Sequence, residues 1–258
     1  MIDLIPSRFL AARVQDDSLR QEGSSGGICR FLIRTLLESG EVDGVVCVVT
    51  SDSETLYEYG TVRLENCGDI AKSVYFFIDP RPFLEKIPRE QLSRLAFVGL
   101  PCMVHWVHER FLPFRYTIGI LCNRAKESDL LTRLFPLETL EKADFRTGTK
   151  PHNQVLEVTT KSGETHRSEL GKYFFEDSMT CSFCQNCTFS YVPTAEITVM
   201  DAWLPRFQTP EGTNLCIVRN RKIAEILNSP DVWHEEITEK DILTASPIAR
   251  KRLRGKML

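Results

Sequence analysis

Five cysteines carry the most readable chemistry of this chain: Cys102, Cys122, Cys181, Cys184 and Cys187. The last three recur at three-residue spacing, in Cys181-Ser182-Phe183-Cys184-Gln185-Asn186-Cys187. Thiolates so spaced can converge on one metal centre. A 4Fe–4S cluster takes four of them, commonly a close group plus distant ones. Zinc accepts the same sulfurs. We read the triplet as half of an iron–sulfur site. Cys102 follows Leu95-Ala96-Phe97-Val98 and the turn Gly99-Leu100-Pro101, and Cys122 follows Tyr116-Thr117-Ile118-Gly119-Ile120. Both therefore fall at the carboxyl ends of short strands, where open α/β sheets hold ligands. If those strands lie side by side, the two cysteines share an edge and supply the other half. Spacing alone leaves two ligand sets open. One is the local triplet with a distant fourth; the other joins Cys102 and Cys122 to Cys184 and Cys187. A zinc knuckle that only staples a loop is a third reading.

A second constellation lies near the start. Ser24, Ser25, Gly26 and Gly27 precede Ile28 to Glu38, whose apolar residues at 28, 32, 33, 36 and 37 follow a helical period, with Gly40 to close it. Serine and glycine at a helix N-terminus suit a phosphate, because unbonded backbone N–H groups point outward there. An ordinary capped turn has the same composition.

The elements that must position these residues follow from pattern. Val42 to Val49, Leu95 to Val98, Tyr116 to Ile120, Ile197 to Val199 and Leu215 to Arg219 read as strands, and Thr55 to Arg63 as an outer strand. Met103 to Glu109, Glu127 to Phe135 and Ile223 to Leu227 read as helices. Leu156 to Thr160 and Thr165 to Arg167 flank a Lys-Ser-Gly-Glu hairpin turn. The expected fold is α/β: a mixed sheet flanked by helices, with a cysteine-rich, cluster-binding loop in the C-terminal half. Residues 1–22 read as a lead-in segment, 23–228 as the working domain and 229–258 as a C-terminal extension. Cys47 and Cys216 lie in apolar runs and read as core, Cys67 as a turn residue, and His105 and His108 as surface groups on a helix.

Composition narrows the class. Of 258 residues, 42% are hydrophobic and 26% charged, enough for a substantial core. A net charge of −3 argues against general nucleic-acid binding. The basic run Arg250 to Lys256 reads as a solvated end. No apolar run approaches the roughly 20 residues that span a bilayer, and no secretory signal pattern opens the chain. A cytosolic, cytoplasmic protein is expected, whose nine cysteines are ligands, reactive thiols or small hydrophobes rather than a disulfide framework.

The order of several motifs carries a resemblance. These are Gly26-Gly27 before a helix, Val98-Gly99-Leu100-Pro101-Cys102, Ile120-Leu121-Cys122, Cys184-Gln185-Asn186-Cys187-Thr188-Phe189, Ile197 through Pro205, and Gly212-Thr213-Asn214-Leu215. Over roughly residues 22 to 225 the chain resembles the family of coenzyme F₄₂₀ hydrogenase/dehydrogenase beta subunits. The resemblance implies an oxidoreductase with FAD and one 4Fe–4S cluster. It favours Cys102, Cys122, Cys184 and Cys187 as cluster ligands, with Cys181 as the spare or an alternate ligand. It sets Ser25-Gly26-Gly27 against the flavin and Asp201 near it. The family often has glycine before that aspartate; Met200 stands there in this chain. Many members carry an N-terminal ferredoxin module, for which this sequence has no cysteine series. A two-electron small-molecule substrate and a separate one-electron partner, a ferredoxin or another redox subunit, are therefore expected. A relay subunit without catalysis, and a zinc-stapled binding protein, are the alternatives.

Overall fold

The computed structural model describes residues 4–52, 56–110, 112–135, 140–147, 155–169, 179–189, 193–209 and 212–246. Its frame is a run of four parallel strands: β2 (Gly44–Thr50), β4 (Leu95–Gly99), β5 (Tyr116–Ile120) and β9 (Ile197–Asp201). Each is short, rich in apolar residues and buried on both faces, as parallel strands must be. Alternation divides them between two cores. Val45, Cys47, Ala96, Val98, Ile197 and Val199 face one side, while Val46, Leu95 and Phe97 face the other.

Antiparallel strands extend both flanks. β3 (Tyr57–Val62) pairs with β2 at one edge. At the other, β10 (Asn214–Asn220), β1 (Leu4–Val14) and β11 (Val232–Glu236) continue from β9. The order is β11-β1-β10-β9-β5-β4-β2-β3. A second, antiparallel sheet holds β6 (Leu140–Asp144), β7 (Val155–Thr160) and β8 (Thr165–Glu169), with the expected hairpin between the last two.

Helices cover the faces. α1 (Asp17–Glu22) leads into α2 (Ile28–Glu38), which packs on the first core beside α7 (Arg221–Leu227). The N-cap of α2, Gly27, offers no side-chain bond, yet six apolar side chains of the helix are buried. Burial of each is worth about 1.5–3 kcal/mol, so packing rather than capping holds α2. On the opposite face lie α3 (Arg81–Leu84), α4 (Arg89–Leu92), α5 (Pro101–Glu109) and α6 (Leu130–Leu134), and α8 (Glu239–Ala245) covers β1 and β10.

Two terminal expectations change. Residues 4–14, read as lead-in, form an inner strand of the sheet. Residues 232–236 and 239–245, read as extension, supply its edge strand and a packed helix. The basic run Arg250 to Lys256 lies outside the described residues. Among the described residues no helix is long and apolar enough to cross a membrane.

Candidate functional site

β4 and β5 are parallel neighbours in register, Val98 opposite Ile118 and Gly99 opposite Gly119. Their carboxyl ends therefore deliver Cys102 and Cys122 to one edge, as the strand pattern predicted. Cys102 is the second residue of α5, behind Leu100 and Pro101. The triplet is shaped locally. A single 3₁₀ turn spans Ser182–Cys184, the Cys184 N–H donates to the Cys181 carbonyl at 2.7 Å, and the Cys187 N–H to the Cys184 carbonyl at 3.3 Å. The Cys181 N–H donates to Ala125 O, and the Ser182 N–H to Glu127 Oε1 at 2.9 Å. These tie the loop to the chain just beyond Cys122.

Cys181 and Cys184 are buried with Phe77 and Ala125, and Leu100, Cys102 and Met103 pack against them. The thiols of Cys102 and Cys187 are hydrogen-bonded, and Cys122 and Cys184 lie close enough to act on Cys102 electrostatically. None of the nine cysteines is in a disulfide. The bond to Cys187, then burial, then the neighbouring sulfurs push the Cys102 thiol far up. That outweighs the lowering expected at a helix N-terminus. Burial also raises Cys181.

Among the described residues no three His, Cys, Asp or Glu side chains are arranged to hold a metal ion. A single zinc requires thiolates within about 4 Å of one another. A cluster spreads its ligands over a larger body, and cysteine thiols are the donors it takes. By donor type, the thiols around Cys102 suit a cluster and zinc alike.

One strand away lies a small, open cleft. Ser25, Arg146, Asp201, Trp203, Phe207 and Thr213 are among its walls. Asp201 ends β9, and Ser25 sits in the turn before α2. The tertiary structure thus brings Ser25 and Asp201 together. Ser25 Oγ donates to the Thr213 carbonyl at 3.1 Å. Ser24 turns the other way, its Oγ accepting the Ser73 N–H at 2.6 Å.

The two glycines have a tertiary explanation. Gly26 has φ +44°, and a Cβ there would meet Asn214 Oδ1 at 2.5 Å and Asn214 N at 2.6 Å. Gly27, at φ +77°, passes close to Val14 and Arg20. The Asn214 amide oxygen accepts the Ile28 N–H at 3.2 Å, and its Nδ2 donates to Met200 O at 3.3 Å. The first free N–H of α2 is therefore taken by the protein itself, and Ser25 is the residue of this turn that reaches the cleft.

Arg146 is the cleft residue that sequence reasoning missed. It follows β6 of the small sheet, and its Nη1 donates to Asp201 Oδ2 at 2.9 Å. Tyr75 hydrogen-bonds Arg146 and Ser73. Nothing in the spacing links Arg146 to Asp201, 55 residues away. Arg146 and Gln208 are among the described walls. Residues 148–154 and 210–211, next to them in sequence, lie outside the described residues.

The cleft and the cysteine edge adjoin. β5 and β9 are neighbours, and the Leu121 N–H donates to Val199 O at 2.9 Å. Leu121, one residue before Cys122, joins the apolar cluster that holds Met200, Ala202 and Phe207.

The other cysteines behave as expected. Cys47 and Cys216 are buried in the core under α2, and burial pushes the Cys47 thiol up to about 12. Cys67 lies in a short 3₁₀ segment, Leu64–Asp69. The histidines are more engaged than a surface reading implies. The His105 ring lies tilted against that of Phe189, centroids 4.6 Å apart, and His108 Nε2 lies 3.3 Å from Thr117 Oγ1.

Comparison with known proteins accords with this architecture. Residues 92–244 match the C-terminal profile of the coenzyme F420 hydrogenase/dehydrogenase beta subunit, and residues 9–76 match the corresponding N-terminal profile. Coenzyme F420-dependent sulfite reductase of Methanocaldococcus jannaschii is 22% identical over 82% of this chain and 35% of its own length. A component of the F(420)H(2) dehydrogenase of Methanosarcina mazei is 24% identical over 86% of this chain and 65% of its own. The chain thus spans about a third of the first relative and just under two thirds of the second. A chain in the structure of the F420-reducing [NiFe] hydrogenase complex of Methanosarcina barkeri superposes with a TM-score of 0.69 at 17% identity, covering 99% of this chain and 92% of that one. The chain belongs to the family of coenzyme F420 hydrogenase/dehydrogenase beta subunits, which are redox proteins.

Proposed function

We propose that the chain is an oxidoreductase that uses FAD and one 4Fe–4S cluster to exchange electrons between a two-electron organic substrate, deazaflavin-like in chemistry, and a one-electron carrier protein. The supporting observation is adjacency. Cys102 and Cys122 follow the ends of β4 and β5, Cys184 and Cys187 are near enough to act on Cys102, and the next strand, β9, ends in a cleft lined by Ser25 and Asp201. Neighbouring strands lie about 4.8 Å apart, so two redox groups held there are close.

A flavin takes up a hydride as an electron pair, whereas a cluster passes electrons singly; side by side they convert one mode of transfer to the other. The protein's residues do the rest. Cys102, Cys122, Cys184 and Cys187 would hold the cluster, with Cys181 buried beside them as the spare. Ser25 and Asp201 would orient the flavin end that enters the cleft, and Trp203 and Phe207 would shield it from water. Leu121, one residue before Cys122 and part of the apolar cluster that includes Met200 and Phe207, would limit water between them.

A relay protein without its own substrate is the second reading. It draws support from the structural neighbour, whose source is a hydrogenase complex. Anaerobic purification should yield a brown protein with about four irons and one flavin per chain. A colourless zinc protein overturns the proposal. Reduction of a deazaflavin by the isolated chain supports catalysis over relay.

A further inference from the structure

The cleft contains a cation that comes from outside the large sheet. Arg146 follows β6, and its side chain is only 10% exposed. Several contacts fix its position. Its own N–H donates to Asp144 Oδ1 at 2.9 Å, and Asp144 is bridged to Lys72 at 3.3 Å. Phe145, beside it, is fully buried among Tyr57, Tyr75 and Phe76. On the far side Nη1 donates to Asp201 Oδ2 at 2.9 Å. Tyr75 bonds both Arg146 and Ser73, and Ser73 in turn bonds Ser24. One polar belt therefore runs from the turn before α2, through Tyr75 and Arg146, to the end of β9.

The protein itself therefore holds the guanidinium in one place, paired to Asp201 and forming part of the cleft wall. Burial opposes the charge of Arg146, but Asp201 and Tyr75 outweigh it, and the group stays protonated.

We infer that Arg146 is the charge-balancing residue of the cleft: it stabilises the negative charge that a bound flavin gains on reduction, and Asp201 sets how much of that positive charge the flavin feels. The inference rests on the flavin reading proposed above. The balance is simple. An organic hydride donor breaks one C–H bond and transfers two electrons with one proton to the ring. The donor leaves oxidised, and the ring gains one unit of negative charge. A fixed cation nearby binds that reduced form more tightly than the neutral oxidised form.

The test is the two-electron midpoint potential of the bound flavin, read by spectroelectrochemistry on the anaerobically purified chain. Arg146→Gln should weaken binding of the reduced flavin relative to the oxidised form at least tenfold, which lowers the potential by about 30 mV. Arg146→Lys keeps the charge and should recover most of the shift. Asp201→Asn removes the opposing charge and should move the potential upward. Opposite signs for the Arg146 and Asp201 variants separate an electrostatic role from simple loosening, which would shift both the same way. Equal potentials in wild type and Arg146→Gln overturn the inference, as does a shift of the same sign in Asp201→Asn. Should Arg146→Gln fail to fold, the Asp201→Asn and Arg146→Lys potentials decide. A wild-type chain that purifies without flavin defeats the proposed function instead, and is recognised before any variant is made.

Discussion

The two ends of strands β5 and β9 both carry polar residues but use them differently. At the amino ends, Glu196 is 2% exposed, and its Oε2 accepts the Thr117 N–H at 2.6 Å and the Thr117 hydroxyl at 2.7 Å. His108 closes over Thr117, and the Arg219 guanidinium bonds the Ala195 carbonyl at 3.2 Å. There the polar groups face one another inside the protein. At the carboxyl ends, Cys122 and Asp201 are partly exposed, beside a cysteine-rich loop and a cleft. The difference teaches which end is available to a ligand. A network closed on itself is a structural device; groups that border concave space are the ones that can do chemistry.

That contrast can be broken most sharply at the cysteine edge. Cys184→Ser should reduce iron from about four per chain to below one, whereas Cys181→Ser should leave it. Metal analysis of anaerobically purified variants checks both, and retention of iron in Cys184→Ser would shift the ligand set to the alternatives.

The next largest effects are on stability. Gly26→Ala puts a Cβ against backbone and side-chain atoms of Asn214 at positive φ. It should cost about 2–4 kcal/mol, seen as a lower urea midpoint. At the closed end, Glu196→Ala leaves the buried Thr117 N–H unmet and the Thr117 hydroxyl with only His108, and should cost about 1–3 kcal/mol. Cluster content should not change. Loss of iron on folded Glu196→Ala protein would show that the two ends are coupled after all.

The smallest effect is one of pH. Burial, partly offset by Glu196 and reinforced by His105, lowers the His108 pKa below its ordinary value of 6.5. The unfolded chain then takes up a proton first, so stability is highest above that ordinary value and falls as pH drops from it towards the folded pKa. His108→Gln should flatten this part of a stability–pH curve measured by denaturant titration.

Much of the fold was legible because it is written locally. The runs Val45 to Val49 and Leu95 to Val98 are strands in any buried context, and the period of Ile28 to Leu37 is a helix. The lead-in reading fails because β1 is mixed in character, Leu4-Ile5-Pro6-Ser7-Arg8-Phe9-Leu10, and becomes a strand only between β10 and β11. Val232 to Glu236 is similar: it holds two acidic residues and sits at an edge, where no strong pattern is demanded.

By itself the sequence determined the types and near neighbours of the reactive groups: a cysteine triplet, two cysteines after short strands, a Ser-Ser-Gly-Gly turn and an aspartate after a β-branched run. Those depend on chemistry within a few residues and survive without a fold. Only the tertiary structure decided what meets what. Cys102 meets Cys187 because β4 and β5 are parallel and the loop is tied back to Ala125 and Glu127. Ser25 and Asp201 line one cleft because Asn214 draws the turn before α2 onto β10, beside β9. Arg146 reaches Asp201 because Phe145 buries the small sheet's edge against Tyr57 and Phe76. Each is a contact between distant segments, set by packing and strand register, and no local pattern encodes it.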